Sequence, residues 1–250
     1  QPDWLVTRDT QDLCAVMSTT EIPEGDRVGH LWDDVTKPVI VRTDGSRAAD
    51  LACLVAEAHG AAGSGRDGPT LVVVNTVDRA VELAAKLRES PALASVDLRL
   101  VHSRYRAGDR AAWRDDFLNR GACGPGTNRI IVATQVVEAG VDVSAALLVT
   151  DLAPWPSLVQ RFGRAARWGG AARVIVVDTA PKDDRAAAPY QAAELDAARE
   201  VLRGVDDVAP RALEKLERSL DPAQRVRLYP YDPTDLIQEH EVEQLFDTTP

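Results

Sequence analysis

Between residues 70 and 180 short apolar runs alternate with amphipathic stretches. Leu71 to Asn75 (LVVVN), Asp97 to His102, Arg129 to Thr134 (RIIVAT), Ala146 to Thr150 (ALLVT) and Arg173 to Asp178 (RVIVVD) read as strands. Most lack polar alternation, the pattern of strands covered on both faces. Upstream, Val39-Ile40-Val41 follows Pro38 and reads as one more strand. Helical spacing is seen over Arg47 to His59, with Leu51, Leu54 and Val55 on one face. It recurs over Val77 to Glu89, ended by Ser90-Pro91, and over Arg110 to Asn119 with Trp113, Phe117 and Leu118 apolar. Pro156 to Trp168 is predicted as a short helix with proline in its first turn. Gly60 to Pro69 holds four glycines and a serine and reads as a loop.

Strands joined by helices predict an α/β fold with a mostly parallel sheet, right-handed crossovers and helices on its flanks. Ligands of such sheets bind beyond the carboxyl ends of the strands, where the distinctive polar sequences here lie. After Ala180 the character changes. Pro189 to Leu202 and Ala212 to Leu220 look like acidic, alanine-rich helices; Leu228 to Pro233 looks extended, with a final helix after it. Residues 1–35 show no assignable periodicity. The expected organisation is an α/β unit over 36–180, a C-terminal helical appendage over 181–250, and a connector over 1–35.

Composition agrees. Of 250 residues 45% are hydrophobic but only 3 are Phe, so the core is built from Val, Leu, Ile and Ala. No apolar run approaches the roughly 18 residues of a membrane span. Cys14, Cys53 and Cys123 are far apart and form neither a zinc pattern nor a disulfide framework, which fits a reducing, cytoplasmic setting. The net charge of -10 disfavours a nucleic-acid partner, but it is unevenly spread. Arg99 to Arg173 holds 11 basic and 6 acidic residues, whereas the chain from Lys182 onward holds 9 basic and 16 acidic. A locally basic zone can bind phosphates on an acidic chain; a solvated arginine-rich surface has the same composition.

The sharpest chemical signal is Gln160-Arg161-Phe162-Gly163-Arg164-Ala165-Ala166-Arg167. If helical, Arg164 and Arg167 share a face and repel each other unless an anion lies between them. No acidic residue occurs from Leu152 through Ala172, so local pairing is unavailable and a polyphosphate is the expected counter-charge. A second signal is Ala133-Thr134-Gln135-Val136-Val137-Glu138-Ala139-Gly140-Val141-Asp142. Gly140 permits a tight backbone path, Asp142 can accept from a ribose hydroxyl, and Thr134 can reach a phosphate. Alone, this segment also fits an ordinary strand-to-helix turn.

Together the two segments resemble motifs V and VI of superfamily 2 helicases, separated by one strand and the loop Ala153-Pro154-Trp155-Pro156. Gln160 is similar to the DExH branch. Upstream, Leu71 to Ala80 resembles motif IV, and Leu100-Val101-His102-Ser103-Arg104-Tyr105 resembles the next motif. Residues 70–180 thus look like a second RecA-like lobe nearly end to end. "TQVVEAGVDV", "LAPWPSLVQRFGRAAR" and the closing "LFDTTP" are similar to the CRISPR-associated type I helicase-nuclease family.

That resemblance implies a set of roles. Arg164 and Arg167 would be arginine fingers, while Gly140, Asp142, Gln160 and Gly163 would bind ATP. Asn75, Thr76, His102, Ser103, Arg104, Thr134 and Gln135 would hold single-stranded nucleic acid, DNA by family. Arg161 would pair with a carboxylate inside the lobe. Asn75 and Thr76 are equally suited to cap a helix, and His102 to be a hydrogen-bonded surface histidine.

No Gly-Lys-Ser, Gly-Lys-Thr, DExH or DExD occurs, and His30, His59, His102 and His240 form no HD cluster. The chain is therefore expected to be a piece of a longer protein. Its first RecA-like lobe would bind phosphates and Mg2+, with an HD nuclease alongside and a CRISPR type I surveillance complex as recruiting partner. Alone it should hydrolyse ATP negligibly. Two other readings remain: the second lobe of another superfamily 2 DNA or RNA helicase, and a non-catalytic RecA-like docking module. A generic nucleotide-binding α/β enzyme is disfavoured by the lack of GxGxxG after any strand.

Overall fold

The computed structural model describes residues 23–63 and 67–230. Most of the expected connector, and the closing "LFDTTP" with the helix expected before it, lie outside them. Six strands form one sheet: β1 (Val39–Arg42), β2 (Thr70–Val73), β3 (Asp97–Val101), β4 (Arg129–Ala133), β5 (Leu147–Asp151) and β6 (Arg173–Val177). Their order is β1-β6-β5-β2-β4-β3. Every pairing is parallel, so the fold is the expected parallel α/β lobe.

The apolar runs explain why this sheet is covered on both sides. Successive strand residues point to opposite faces. Leu71, Val73, Ile131, Ala133, Leu148, Val174 and Val176 enter one core. Val72, Val74, Ile130, Val132, Leu147, Val149, Ile175 and Val177 enter the other. A fully buried Val, Leu or Ile contributes about 1.5–3 kcal/mol of transfer free energy, so the interior strands tolerate no register slip.

After the short α1 (His30–Asp33), the second face is closed by α2 (Ala48–Ala61) and α3 (Val77–Arg88), through Leu51, Leu54, Val55, Leu83 and Leu87. The opposite face carries α5 (Trp155–Phe162), with Phe117 and Leu118, which follow α4 (Ala107–Asp116). The C-terminal region adds α6 (Asp184–Ala187), α7 (Ala192–Leu202), α8 (Pro210–Ser219) and α9 (Pro222–Leu228). These helices are not a detached tail. Leu195, Ala198 and Leu202 of α7 share the core of Trp155 and Phe162. Asp206 to Val208 return to the start of β1, where the Val39 N–H donates to the Asp206 carbonyl (3.0 Å) and the Val208 N–H to that of Lys37 (3.0 Å).

One boundary differs from the sequence expectation in a way that matters. The helix expected over Pro156 to Trp168 ends at Phe162. Gly163 caps it, and the chain then runs beside Ala145: the Ala145 N–H donates to the Arg164 carbonyl (2.8 Å) and the Ala166 N–H to the Ala145 carbonyl (3.0 Å). Ala166 takes a left-handed φ of 41° to allow this path. Arg164 and Arg167 therefore do not share a helix face. A strand-like pairing with a segment twenty residues away outcompetes the helical continuation.

Candidate functional site

The sheet order sets the site. The carboxyl ends of β5, β2, β4 and β3 are lateral neighbours, so Asp151, Asn75, Thr134 and His102 follow one another along one rim. The sequence-predicted strand-contact residues are thus brought together. Their side chains differ in availability. Thr76 is the N-cap of α3 and accepts from the Arg79 N–H (3.3 Å). Asn75 faces inward, donating to the Leu152 carbonyl (2.8 Å) and accepting from Arg161 (3.1 Å). Gln135 donates to the Asn75 carbonyl (2.8 Å) and to the Tyr190 hydroxyl (3.1 Å).

Farther along, Thr134 is buried, while Ser103 and Arg104 are exposed, Arg104 donating to Asp78 (2.7 Å). His102 is buried against Tyr105, ring centroids 4.4 Å apart, and its Nδ1 has no partner among the described residues. Burial and then the nearby Arg104 push its pKa below the ordinary histidine value.

Three arginines of the Gln160–Arg167 segment sit in three environments. Arg161 is fully buried. Its Nε donates to Glu138 (2.8 Å), its Nη1 to Asn75 (3.1 Å), Thr150 (2.9 Å) and the Asp151 carbonyl (3.1 Å), and its Nη2 to the Tyr190 hydroxyl (3.1 Å). This is the intramolecular carboxylate pair expected from the sequence. Arg164 is 6% exposed and donates to two backbone carbonyls, of Val141 (2.8 Å) and Glu138 (2.6 Å). Its Nε is buried without a partner, and no carboxylate bonds to it among the described residues. Burial and then the proximity of Arg167 hold its pKa below the ordinary guanidinium value.

Arg167 is exposed and pairs with Asp142 at 3.1 Å. The expectation that these arginines lack acidic partners therefore fails for Arg167: the carboxylate comes from the preceding loop, beyond any local window. Asp142, expected at the ribose, accepts on the same Oδ1 from the Trp168 indole (3.0 Å). The Trp168 bond, then Arg167, hold its pKa below the ordinary carboxylate value.

Gly140 sits in the same loop with φ 72°, a left-handed turn that lets the loop pass from Glu138 to Asp142. Gly163 caps α5, where a Cβ would meet the Gln160 carbonyl at 3.2 Å; Gln160 itself is exposed. Beside this turn opens a cleft of about 630 Å³ lined by Lys37, Arg120, Asp142, Gly163, Arg167 and Trp168, among others. Arg120 lies over the Trp168 ring, 5.2 Å from its centroid. Lys37 is buried, donates to the Phe162 carbonyl (3.0 Å), and is pushed by burial down to about 8.

The lining of this cleft mixes the cationic Lys37, Arg120 and Arg167 with the carboxylates of Asp26 and Asp142, and Arg164 lies behind it rather than among its lining residues. Lys37, Arg120, Trp168, Arg79 and Tyr190 escaped the sequence reading. Arg79 clamps Asp151 with two bonds (2.9 and 3.0 Å) beneath the rim. The one usable signal was the basic surplus of Arg99 to Arg173, which includes Arg120; Tyr190 has no local signature. No group of His, Cys, Asp and Glu suited to a metal ion occurs among the described residues, and no helix there is long and apolar enough to cross a membrane.

Residues 66–169 match the family model described as CRISPR-associated nuclease/helicase Cas3, C-terminal. A putative CRISPR-associated nuclease/helicase Cas3 of Myxococcus xanthus is 43% identical over 100 residues, 40% of this chain and 13% of that protein. A CRISPR-associated nuclease/helicase Cas3 of Streptococcus thermophilus is 36% identical over 99 residues, 38% of this chain and 10% of that protein. The chain thus spans about a tenth of the length of these relatives. Among solved structures, T. fusca Cas3 with ADP superposes with a TM-score of 0.61 at 21% identity, over 84% of this chain and 26% of that one.

Proposed function

Because the chain carries the C-terminal lobe of a Cas3-type superfamily 2 helicase, we propose that it supplies the arginine half of an ATP site and part of a single-strand track. The whole protein, on this reading, is an ATP-dependent DNA translocase of type I CRISPR interference. It would work with a preceding RecA-like lobe that holds Mg2+ and the phosphates, with an HD nuclease, and with a type I surveillance complex.

The observation that carries the proposal is the buried guanidinium of Arg164, which has no carboxylate bonded to it. The Asp142 carboxylate acts on Arg164 only from a distance, without a hydrogen bond, and a buried guanidinium left without a bonded anion is costly, so a site that meets an anion from outside is the economical reason to keep one. The carbonyls of Glu138 and Val141 orient the group without neutralising it. Arg167 differs: its exposed pair with Asp142 is worth only about 0–1 kcal/mol, so exchange for a phosphate is easy. Asp142, freed of Arg167, can accept from a ribose hydroxyl. ATP, when bound between the lobes, supplies the phosphoanhydride whose cleavage drives lobe opening.

On the opposite side of the lobe, Ser103 and Arg104 are exposed donors at the strand rim and are the groups this reading assigns to the strand phosphates, since the Asn75 and Thr134 amides already donate to Asp151 (3.1 Å) and the Val101 carbonyl (3.2 Å). Arg161 holds the two sides together, since it bonds Glu138 of one and Asn75 of the other.

The test is Arg164→Ala in the whole protein. An arginine finger contributes about 10³–10⁵ in rate, so strand-stimulated turnover should fall by at least about 10³ while circular dichroism stays unchanged. Turnover near that of the unaltered protein would remove Arg164 from the site. Comparing stimulation by single-stranded DNA and RNA separates this reading from another superfamily 2 helicase, and the isolated chain should turn over ATP negligibly.

A further inference from the structure

The C-terminal helices contribute one side chain to the centre of the lobe. Tyr190 lies in the turn between α6 and α7, and its hydroxyl accepts from both Arg161 Nη2 (3.1 Å) and Gln135 Nε2 (3.1 Å). The turn is pinned on both sides: the Tyr190 N–H donates to the Ala187 carbonyl (3.1 Å), the Ala192 N–H to Asp184 (2.7 Å), and Gln191 and Glu194 form a capping box. Tyr190 is therefore a fixed acceptor delivered from outside the motif-bearing segments.

The groups it joins belong to different sides of the lobe. Gln135 donates also to the Asn75 carbonyl, at the strand rim. Arg161 donates also to Glu138, whose own carbonyl holds Arg164 on the nucleotide side. We propose that Tyr190 is a positioning residue that locks the strand rim to the nucleotide-side loop, so that strand binding is felt at Arg164. The proposal rests on the reading of the lobe as part of a strand-stimulated motor.

Two features make Tyr190 a coupling element rather than a prop for the fold. Without it, Arg161 keeps its bonds to Glu138, Asn75, Thr150 and the Asp151 carbonyl, so the buried charge stays paired. What is lost is the shared acceptor between Arg161 and Gln135, the short link from the rim that does not pass through Asn75. Removing it lets Gln135 and the start of the following turn move independently of Arg161.

The test is Tyr190→Phe in the whole protein, which keeps the ring and deletes the acceptor. Substitutions along a coupling network change coupling severalfold, so stimulation of ATP turnover by single-stranded DNA should fall about fivefold. Turnover without DNA should stay within about twofold, while the melting temperature falls by only a few degrees, the cost of leaving the buried Arg161 Nη2 without its acceptor. An unchanged stimulation ratio overturns the proposal. So does a parallel fall of both rates together with the melting temperature, since that marks a structural role. A Gln135→Leu and Tyr190→Phe cycle gives a second reading: one shared link predicts a double variant no worse than the weaker single variant, and additive losses overturn it. Failure of the motor reading looks different, because turnover of the unaltered protein would then not respond to DNA at all.

Discussion

Replacing Arg161 with methionine puts the role of the buried hub to the test. The guanidinium is 0% exposed and its partner Glu138 only 16%, so water cannot take over the pairing. Methionine fills much of the volume, which leaves electrostatics as the main loss. Removing one member of a buried ion pair costs about 3–5 kcal/mol, chiefly because the other charge is stranded. The orphaned acceptors at Asn75, Thr150 and Asp151 keep the estimate toward the upper part of that range.

At about 2–4 °C per kcal/mol for a domain of this size, the melting temperature should drop by roughly 10 °C or more. Urea unfolding followed by circular dichroism measures the free-energy difference, with the slope checked for a change in two-state behaviour. Arg167→Met is the matched control: its ion pair is 41% and 52% exposed, so it should cost less than about 1 kcal/mol. Removing both charges, in Arg161→Met with Glu138→Leu, should recover part of the loss, since a buried pair replaced by apolar groups is often close to neutral. A loss below about 1 kcal/mol for Arg161→Met, or one equal to that of Arg167→Met, would refute the reasoning.

Two further predictions concern the frame around the site. Gly68 has φ 145° and a Cβ there would stand 2.4 Å from the Ser144 carbonyl, so Gly68→Ala should destabilise by at least about 2 kcal/mol in urea unfolding. Gly124→Ala, with nothing within 4 Å of its Cβ, should stay within about 0.5 kcal/mol, and equal costs would show that the close approach is not real. Lys37 is lowered by burial from 10.5 to about 8, so between those values the unfolded chain binds the proton and the folded one does not. Unfolding stability should therefore rise with pH across this window relative to Lys37→Met, by up to about 1.4 kcal/mol per pH unit, and be flat below it. A pH-independent difference between the two proteins from pH 7 to 10 would show that Lys37 keeps its ordinary pKa.

The legibility of this chain follows from the range of the interactions. Strands such as β2, with Leu71 to Val73, and β4, with Ile130 to Ala133, are buried on both faces, so their burial is written in consecutive apolar residues and can be read locally. Helix ends are legible where a single residue sets them, as Thr76 does for α3. The end of α5 is not, because Arg164 to Ala166 leave the helix to pair with Ala145, and no residue near Gly163 announces that partner. The candidate site divides in the same way. The motif segments were visible, but Glu138 and Asp142 reach Arg161 and Arg167 from 23 and 25 residues away, and Tyr190 reaches Arg161 from 29. Tests for acidic neighbours within a segment cannot see these contacts, whereas sheet order brings them together.

The strand-like turn after Phe162 also explains how one short segment can place three arginines in three environments. A continuous helix would have put Arg164 and Arg167 on one face, equally exposed and equally able to pair. Pairing with Ala145 instead draws the Arg164 backbone under the Glu138–Val141 loop, where its side chain finds carbonyls, while Arg167 emerges beside Asp142 at the cleft. Carbonyl oxygens satisfy donors without cancelling charge; a carboxylate does both. Arg161 has the carboxylate of Glu138 and is spent on structure, and Arg167 has one it can release. Arg164 has no carboxylate bonded to it, only Asp142 acting from farther off, and on the proposed reading that buried charge is the one available to an anion from outside. Substituting a carboxylate within reach, for instance at Val141, would convert Arg164 into a second structural arginine and remove that advantage even though the guanidinium itself stayed in place.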